Sequence, residues 1–408
     1  MSELLARHPI LIVSAIKVIV LMFLLLTTLA YLTWFERKVV AHMQSRWGPY
    51  RAGPHGLLQP LADGLKFLFK EDPRPAGVDR LVYYLAPFLS LSLALTSIAV
   101  IPFGPKEIEI LGHRTPLAIA DLNIGLLFLF AITSLGVYGV ALAGWSSNSK
   151  YPLLGGLRSS AQMVSYELAL TMSVVGVLLL AGSFNLREII ENQKNFHWGF
   201  LPRWNIFAGP FPQLLGFFCF FVAAIAETNR LPFDLPEAES ELVAGFHTEY
   251  ASFKFAMFFM AEYASMITVS CLATILFFGG WLSPFPDTGA WAWTHFLPTV
   301  LFGLGGLYVI WDGIRYETVL GRILLPGLGA VFCLLAAAFT IPNVNDFVQG
   351  PFWFLLKVSL FLFFYVWLRG TLPRFRYDQL MAIGWKVLLP LSLANVVLTS
   401  LAIVWFKR

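Results

Sequence analysis

Charge is what this 408-residue sequence has least of: Asp, Glu, Lys and Arg make up 13% of it, about half their share in soluble domains. Fifty-eight per cent of the chain is hydrophobic, including 38 phenylalanines. A water-soluble fold cannot cover that much apolar surface with so few polar groups. Cysteine is nearly absent. Cys219, Cys271 and Cys333 each stand alone in an apolar run, and no Cys-x-x-Cys occurs. Neither an iron–sulfur cluster nor a zinc site can be assembled from this chain alone, so no metal is expected and the three thiols read as packing residues. Also missing is the alternation of apolar and polar residues, over about ten positions, that marks a membrane β-barrel.

What is present is a series of unbroken apolar runs of about twenty residues, the length a helix needs to cross about 30 Å of hydrocarbon. Only helices and closed barrels satisfy every backbone hydrogen bond in lipid. The expected fold is therefore all-α, a polytopic bundle of about ten spans: 10–34, 81–102, 122–145, 161–182, 212–229, 255–281, 296–311, 323–341, 351–369 and 386–406. The seventh is the weakest, being short and carrying Pro298 and three glycines. The first is too long for a signal-peptide core and reads as a retained helix. With the N-terminus outside, the inside loops hold eighteen Lys and Arg and the outside segments eight, the bias that the positive-inside rule demands.

Three inside segments stand out. In the long first loop, 36–80, residues 57–70 are amphipathic at helical spacing. Leu57, Leu61, Leu65 and Leu68 share one face, opposite Gln59, Asp63, Lys66 and Lys70. The pattern fits a helix lying in lipid headgroups and equally one lining the mouth of an inward cavity. The second segment, within 227–254, places Glu227, Asp234, Glu237, Glu239, Glu241 and Glu249 against the lone Arg230. Interleaved Leu235, Ala238, Leu242 and Val243, with Pro232, Phe233 and Pro236, suit a partly buried site better than a solvated loop. Neighbouring carboxylates there would share protons. The third, RGTLPRFRYDQLM at 369–381, sets Arg374, Arg376 and Asp378 beside aromatics, as a basic anchor to anionic lipid would.

Ionisable residues also interrupt the spans: Lys17, Glu167 in SYELAL, Glu262 in MAEYAS, Lys357, and Glu227 at the close of the fifth. Lys can snorkel to an interface. Glu at that depth needs a partner, a proton or water, and costs at least about 2.5 kcal/mol when ionised. A proton relay and a hydrogen-bonded helix contact are both compatible with such a Glu.

WFERKVVAHMQSRWGPYRAGPHGLLQPLADGLKFLFKED, GLRSSAQMVSYELAL, AETNRLPFDLPEAESELVAGFHTEYASFKFAMFFMAEY and LRGTLPRFRYDQLM, in this order, closely resemble the H-type membrane subunit of proton-pumping NADH:quinone oxidoreductase, respiratory complex I. The match runs from about residue 10 to 281 and resumes at about 351. The resemblance implies a multi-pass subunit of the bacterial inner membrane with no redox centre and no tightly bound cofactor. Quinone would be its substrate, and FMN and iron–sulfur clusters would reside in partner subunits. Expected partners are antiporter-like and other membrane-arm subunits, the peripheral-arm iron–sulfur and quinone-site subunits, and lipid, but no nucleic acid. The resemblance places Glu36, Arg37, Arg46, Ala62 and Asp63 on the quinone path. It makes Glu167 and Glu227 proton-path residues, with Asp234, Glu237, Glu239, Glu241 and Glu249 as coupling acids.

One departure is plain. Where the family runs almost directly from FFGGW to the FWFLLK-type helix, here 285–350 intervenes. The family keeps the LPRFRYDQ loop inside, so the insertion must add an even number of spans. It carries no Lys or Arg on its outward side and Arg315 and Arg322 at its inner turn, as a helical hairpin would: eight family spans plus two. Two other functions fit parts of the pattern. One is the membrane anchor of a related hydrogenase-type complex; the other is a stand-alone proton or cation transporter, which the long first loop, suited to docking another protein, disfavours.

Overall fold

The structure is a computed structural model and describes residues 9–110, 113–197, 201–207, 209–234, 243–286 and 289–406. Its long helices are α1 (Pro9–Met43), α3 (Arg80–Ser97), α4 (Gly125–Ser146), α5 (Lys150–Ala181), α7 (Leu214–Glu227), α8 (Ser252–Phe277), α9 (Leu297–Ile314), α10 (Val319–Ala338), α11 (Pro342–Thr371) and α13 (Leu389–Phe406). Between them lie the amphipathic α2 (Gln59–Phe69), the short α6 (Leu186–Glu191) and α12 (Tyr377–Ala382); a single π-helical stretch, Ile383–Leu388, joins α12 to α13. Among the described residues nine helices are long and apolar enough to cross a membrane. The fifth expected span, α7, is 14 residues long, about 21 Å at 1.5 Å per residue, and it stops at Glu227 where the acidic segment begins.

Helix ends differ from the expectation where polar residues continue an apolar run. α1 extends through WFERKVVAHM to Met43, so Glu36 and Arg37 are helical rather than part of a loop. α5 begins at Lys150, eleven residues before the apolar run suggested. Two small antiparallel ribbons, β1–β2 (Glu107–Ile110 with His113–Pro116) and β3–β4 (Phe196–His197 with Leu201–Pro202), join helices in the outward connections. They leave the all-α class unchanged.

The core is built around α8, which has 78% of its most apolar stretch buried, against 39% or less in the other eight spanning helices. Around it Phe217 meets Phe277 and Phe278, and Phe278 meets Phe361, edge to face with ring centroids 5.2 to 5.4 Å apart, the geometry aromatic quadrupoles favour. Both intramembrane lysines serve backbone carbonyls. Lys17 Nζ donates to Pro116 and Ala118 at 2.9 and 3.0 Å. Lys357 Nζ donates to Phe278, Gly280 and Leu282 at 2.8, 2.9 and 2.6 Å, satisfying carbonyls left open where α8 ends. Cys219 and Cys271 are buried, Cys333 is half-buried, and all three are free.

Within 285–350, α9 and α10 pack against each other as a helical hairpin. Its helices approach at Gly306 and Gly329: a Cβ on Gly306 would lie 2.7 Å from Cys333 Sγ and 2.8 Å from the Gly329 carbonyl. Small residues at such a crossing let two backbones pack closely in lipid.

Candidate functional site

Four helices bring charge to one point at the inner end of the bundle. Glu36, near the end of α1, is 3% exposed. Arg230, just past α7, donates from Nη1 to both its oxygens at 3.2 and 3.3 Å, and Tyr263 of α8 donates its hydroxyl at 2.8 Å. Arg369, near the end of α11, is a further ion-pair partner of Glu36. Arg230 also places Nε 2.7 Å from Glu262, and its guanidinium lies 4.1 Å from the centre of the Tyr263 ring, a favourable cation–π distance. Two carboxylates and two guanidiniums thus make a charge-balanced, largely buried network. Balance matters, because an isolated charge at that depth would cost several kcal/mol.

Local sequence explains how Arg230 arrives there. α7 ends at TNRLPF, where Asn229 takes a left-handed φ of 50°, a conformation Asn tolerates better than most residues. Gln162 of α5 ties the turn down, donating Nε2 to the carbonyls of Ala226 and Phe233 at 2.8 and 2.9 Å. Further along, Asp234 pairs with Arg374 at 3.2 Å, so the acidic segment is fastened to the RGTLPRFRYDQ segment.

At the outer rim of this site, Arg37 pairs with Asp63 of α2 at 2.7 Å, and Gln59 donates to the same carboxylate at 2.9 Å. The other end of α2 is held by Ser252, whose hydroxyl donates to the Phe67 and Lys70 carbonyls at 2.7 and 3.0 Å. Lys254 pairs with Asp72 at 2.9 Å. Leu61, Leu65, Leu68 and Phe69 remain exposed on α2. Ala62 is on an exposed part of the same helix.

A second group lies deeper. Glu167 of α5 accepts a hydrogen bond from Ser134 of α4. Glu227 is close enough to Glu167 for the two charges to interact, and its Oε2 is buried with no hydrogen-bond partner among the described residues. Glu227, Glu262, Thr228, Asn229, Ser265 and His247 line an internal cavity of about 90 Å³, room for several waters. This cavity connects the deep carboxylate to the charged network. Burial lowers His247 from 6.5 to about 4, so its ring is neutral at neutral pH.

The structure thus joins Glu36 with Arg230 and, through Arg230, with Glu262, and joins Arg37 with Asp63, while Glu167 is held by Ser134 and Glu227 lines the cavity. Arg46 stays outside these groups: it is exposed and donates Nε to Gln44 at 2.8 Å. The Glu249 carbonyl accepts from Tyr83, also outside these groups, at 2.8 Å. Glu237, Glu239 and Glu241 lie outside the described residues. Residue patterns had no means of assigning Tyr263 and Arg369 to the site. Arg230 carried a signal, as the only cation in an acidic segment. Among the described residues no group of three or more His, Cys, Asp or Glu is placed to hold a metal.

A bundle of helices long and apolar enough to span a membrane, with a buried ion-pair network at one end flanked by an amphipathic helix, is the architecture of a polytopic membrane protein. The family model for NADH dehydrogenase matches residues 16–400. The chain is 51% identical over 396 residues to the first of the NADH-quinone oxidoreductase H subunits of Solibacter usitatus, covering 97% of this chain and 98% of that protein. It is 52% identical to the second H subunit of Koribacter versatilis, covering 96% and 97%. It is 47% identical to the H subunit of Thermomicrobium roseum, covering 97% of each. The chain belongs to the NADH dehydrogenase family, among the H subunits of NADH-quinone oxidoreductase. It is a multi-pass membrane component of a multi-subunit enzyme complex.

Proposed function

We propose that this chain forms the quinone path of the complex and couples quinone reduction to proton translocation. The observation that carries this reading is the network Glu36–Arg230–Glu262, which touches the α1–α2 rim on one side and the Glu227 cavity on the other. An isoprenoid quinone needs an apolar slot for its tail and a few placed polar groups for its head. The exposed leucines of α2 offer the first, and Arg37, Asp63 and the buried network the second. Electrons would come from the flavin and iron–sulfur centres of partner subunits.

The coupling follows from charge balance. A reduced quinone puts negative charge in a poorly screened chamber. There it competes with Glu36 and Glu262 for Arg230 and Arg369, and a carboxylate that loses its guanidinium gains affinity for a proton. Glu262 faces the cavity shared with Glu227, so that proton has a route inward toward Glu167 and onward to antiporter-like partner subunits. The test is Glu262→Gln in the intact complex. NADH:quinone turnover and proton uptake into vesicles should fall at least about tenfold, while electron transfer to a soluble acceptor upstream of quinone stays normal. Unchanged coupled turnover would overturn the reading.

A further inference from the structure

The inserted hairpin reaches the first inside loop at His55 and at Tyr50, whose hydroxyl hydrogen-bonds Tyr316. His55 sits in a single 3-10 turn, Pro54–Gly56, with a left-handed φ of 51°, a conformation that persists in a non-glycine residue only where its surroundings dictate it. It is held from two sides. From α1, Trp34 Nε1 and Lys38 Nζ donate to its carbonyl at 3.3 and 3.2 Å, and Lys38 also donates to the Pro49 carbonyl at 3.0 Å. From the hairpin, Asp312 Oδ2 lies 2.7 Å from His55 Nε2, and the Tyr316 hydroxyl accepts from the His55 backbone N–H at 3.0 Å. The Tyr316 and His55 rings meet edge to face at 5.0 Å. Tyr316 finds space because residue 321 is glycine: a Cβ there would lie 2.2 Å from the tyrosine ring.

We propose that the inner turn of the inserted hairpin is a brace for the quinone mouth, with Asp312, Tyr316 and His55 as positioning residues. Lys38 follows Arg37 directly, so the contacts that fix the His55 carbonyl also fix the helical turn from which Arg37 reaches Asp63. The brace therefore sets the spacing between α1 and α2 without touching substrate. A family member lacking the hairpin must hold the same loop by other means, for which a partner subunit is the available source. This inference rests on the quinone-path reading.

The experiment uses the whole complex in native membranes, with quinone concentration varied and a soluble acceptor upstream of quinone reporting the amount of assembled enzyme. Asp312→Ala should raise the quinone KM about five- to tenfold, the worth of one hydrogen bond of ordinary strength, and leave kcat within about twofold. Tyr316→Phe should act in the same direction. Asp312→Asn keeps an acceptor for the imidazole and should recover most of the affinity. Asp312→Ala with His55→Ala should be no worse than the poorer single variant, because the two act as one unit. An unchanged KM in Asp312→Ala and Tyr316→Phe overturns the brace, as does a loss of kcat and assembled enzyme in parallel with KM unmoved. Asp63→Ala separates the two ideas. If it leaves quinone kinetics untouched, the quinone-path reading fails; if it raises KM and Asp312→Ala does not, only the brace fails.

Discussion

Arg230 donates to both carboxylate oxygens of Glu36 although 194 positions separate the two residues in the chain. The end of α1 and the start of the acidic segment therefore form one site. Because Arg230 also reaches Glu262, any change in the state of Glu36 is felt by the residue that opens onto the Glu227 cavity.

Removing Arg230 should be more damaging than removing either acid. Arg230→Ala leaves Glu36 with Arg369 alone and takes the recorded ion-pair partner from Glu262, and breaking a buried pair from one side costs about 3–5 kcal/mol. Arg230→Lys keeps the charge but loses the planar fork that serves both acids, and should fall between. Adding Glu262→Gln to Arg230→Ala should recover part of the loss by removing one stranded charge. Thermal stability of the solubilised complex, followed by native gel, checks the order. Equal stability of Arg230→Ala and wild type would remove the network from any structural role.

Glu167 and Glu227 should behave as a linked pair. Glu227→Gln alters a deep carboxylate whose Oε2 has no hydrogen-bond partner among the described residues, so it should assemble normally while proton uptake falls at least about tenfold. Glu167→Gln should also impair pumping without loss of assembly. Ser134→Ala, which takes away the hydroxyl on Glu167, should cause a milder loss than Glu167→Gln. Vesicle acidification driven by NADH, normalised to upstream electron transfer, reads all three. Full pumping in Glu167→Gln and Glu227→Gln would exclude them from the path.

Much of this was legible in residue patterns, for identifiable reasons. Twenty-residue apolar runs have one outcome in lipid, so the spans could be placed from composition, whereas the reading of 285–350 as an insertion of even span number rested on the resemblance to the family. Helix ends were less legible, because Glu36 and Arg37 look like loop residues until Arg230, Arg369 and Asp63 supply their counter-charges. The amphipathic spacing of 57–70 located α2 to within two residues. What no spacing encodes is long-range pairing. Tyr263 reads as a core aromatic, and His55, Asp312 and Tyr316 as unrelated loop residues, until the fold sets them together.

His247 gives the site a defined acid limit. Its pKa is lowered from 6.5 to about 4 by burial, so the unfolded chain binds a proton that the folded chain refuses across that interval. Its contribution to stability is full above pH 6.5 and is lost as pH falls toward 4, by at most about 3 kcal/mol. His247→Phe keeps the ring packing against Phe246 and Phe255 without a titrating group. Thermal stability of the variant complex should therefore fall less than that of wild type between pH 6.5 and 4.5. Parallel pH profiles would show that His247 takes up its proton equally in the folded and unfolded states, against the burial argument.

Backbone contact between α5 and the turn before α8 offers a sharper structural test. A Cβ on Gly155 would lie 2.7 and 2.8 Å from the Cα and carbonyl carbon of Gly245 and 2.8 Å from the backbone nitrogen of Phe246. Those atoms are backbone, so no side chain can swing aside. Gly155→Ala must instead push the turn away, and with it Tyr250, whose hydroxyl lies 3.0 Å from Ser146 Oγ. Overpacking of this kind costs about 1–3 kcal/mol. Gly327, in α10, has nothing within 4 Å of its Cβ position, so Gly327→Ala should be neutral or gain up to about 1 kcal/mol from helix propensity. Since the displaced turn also carries His247 at the Glu227 cavity, Gly155→Ala should lower proton uptake as well as melting temperature. A variant that loses neither would mean that the turn accommodates a methyl group freely, and that the spacing of α5 and this turn is not what positions the cavity.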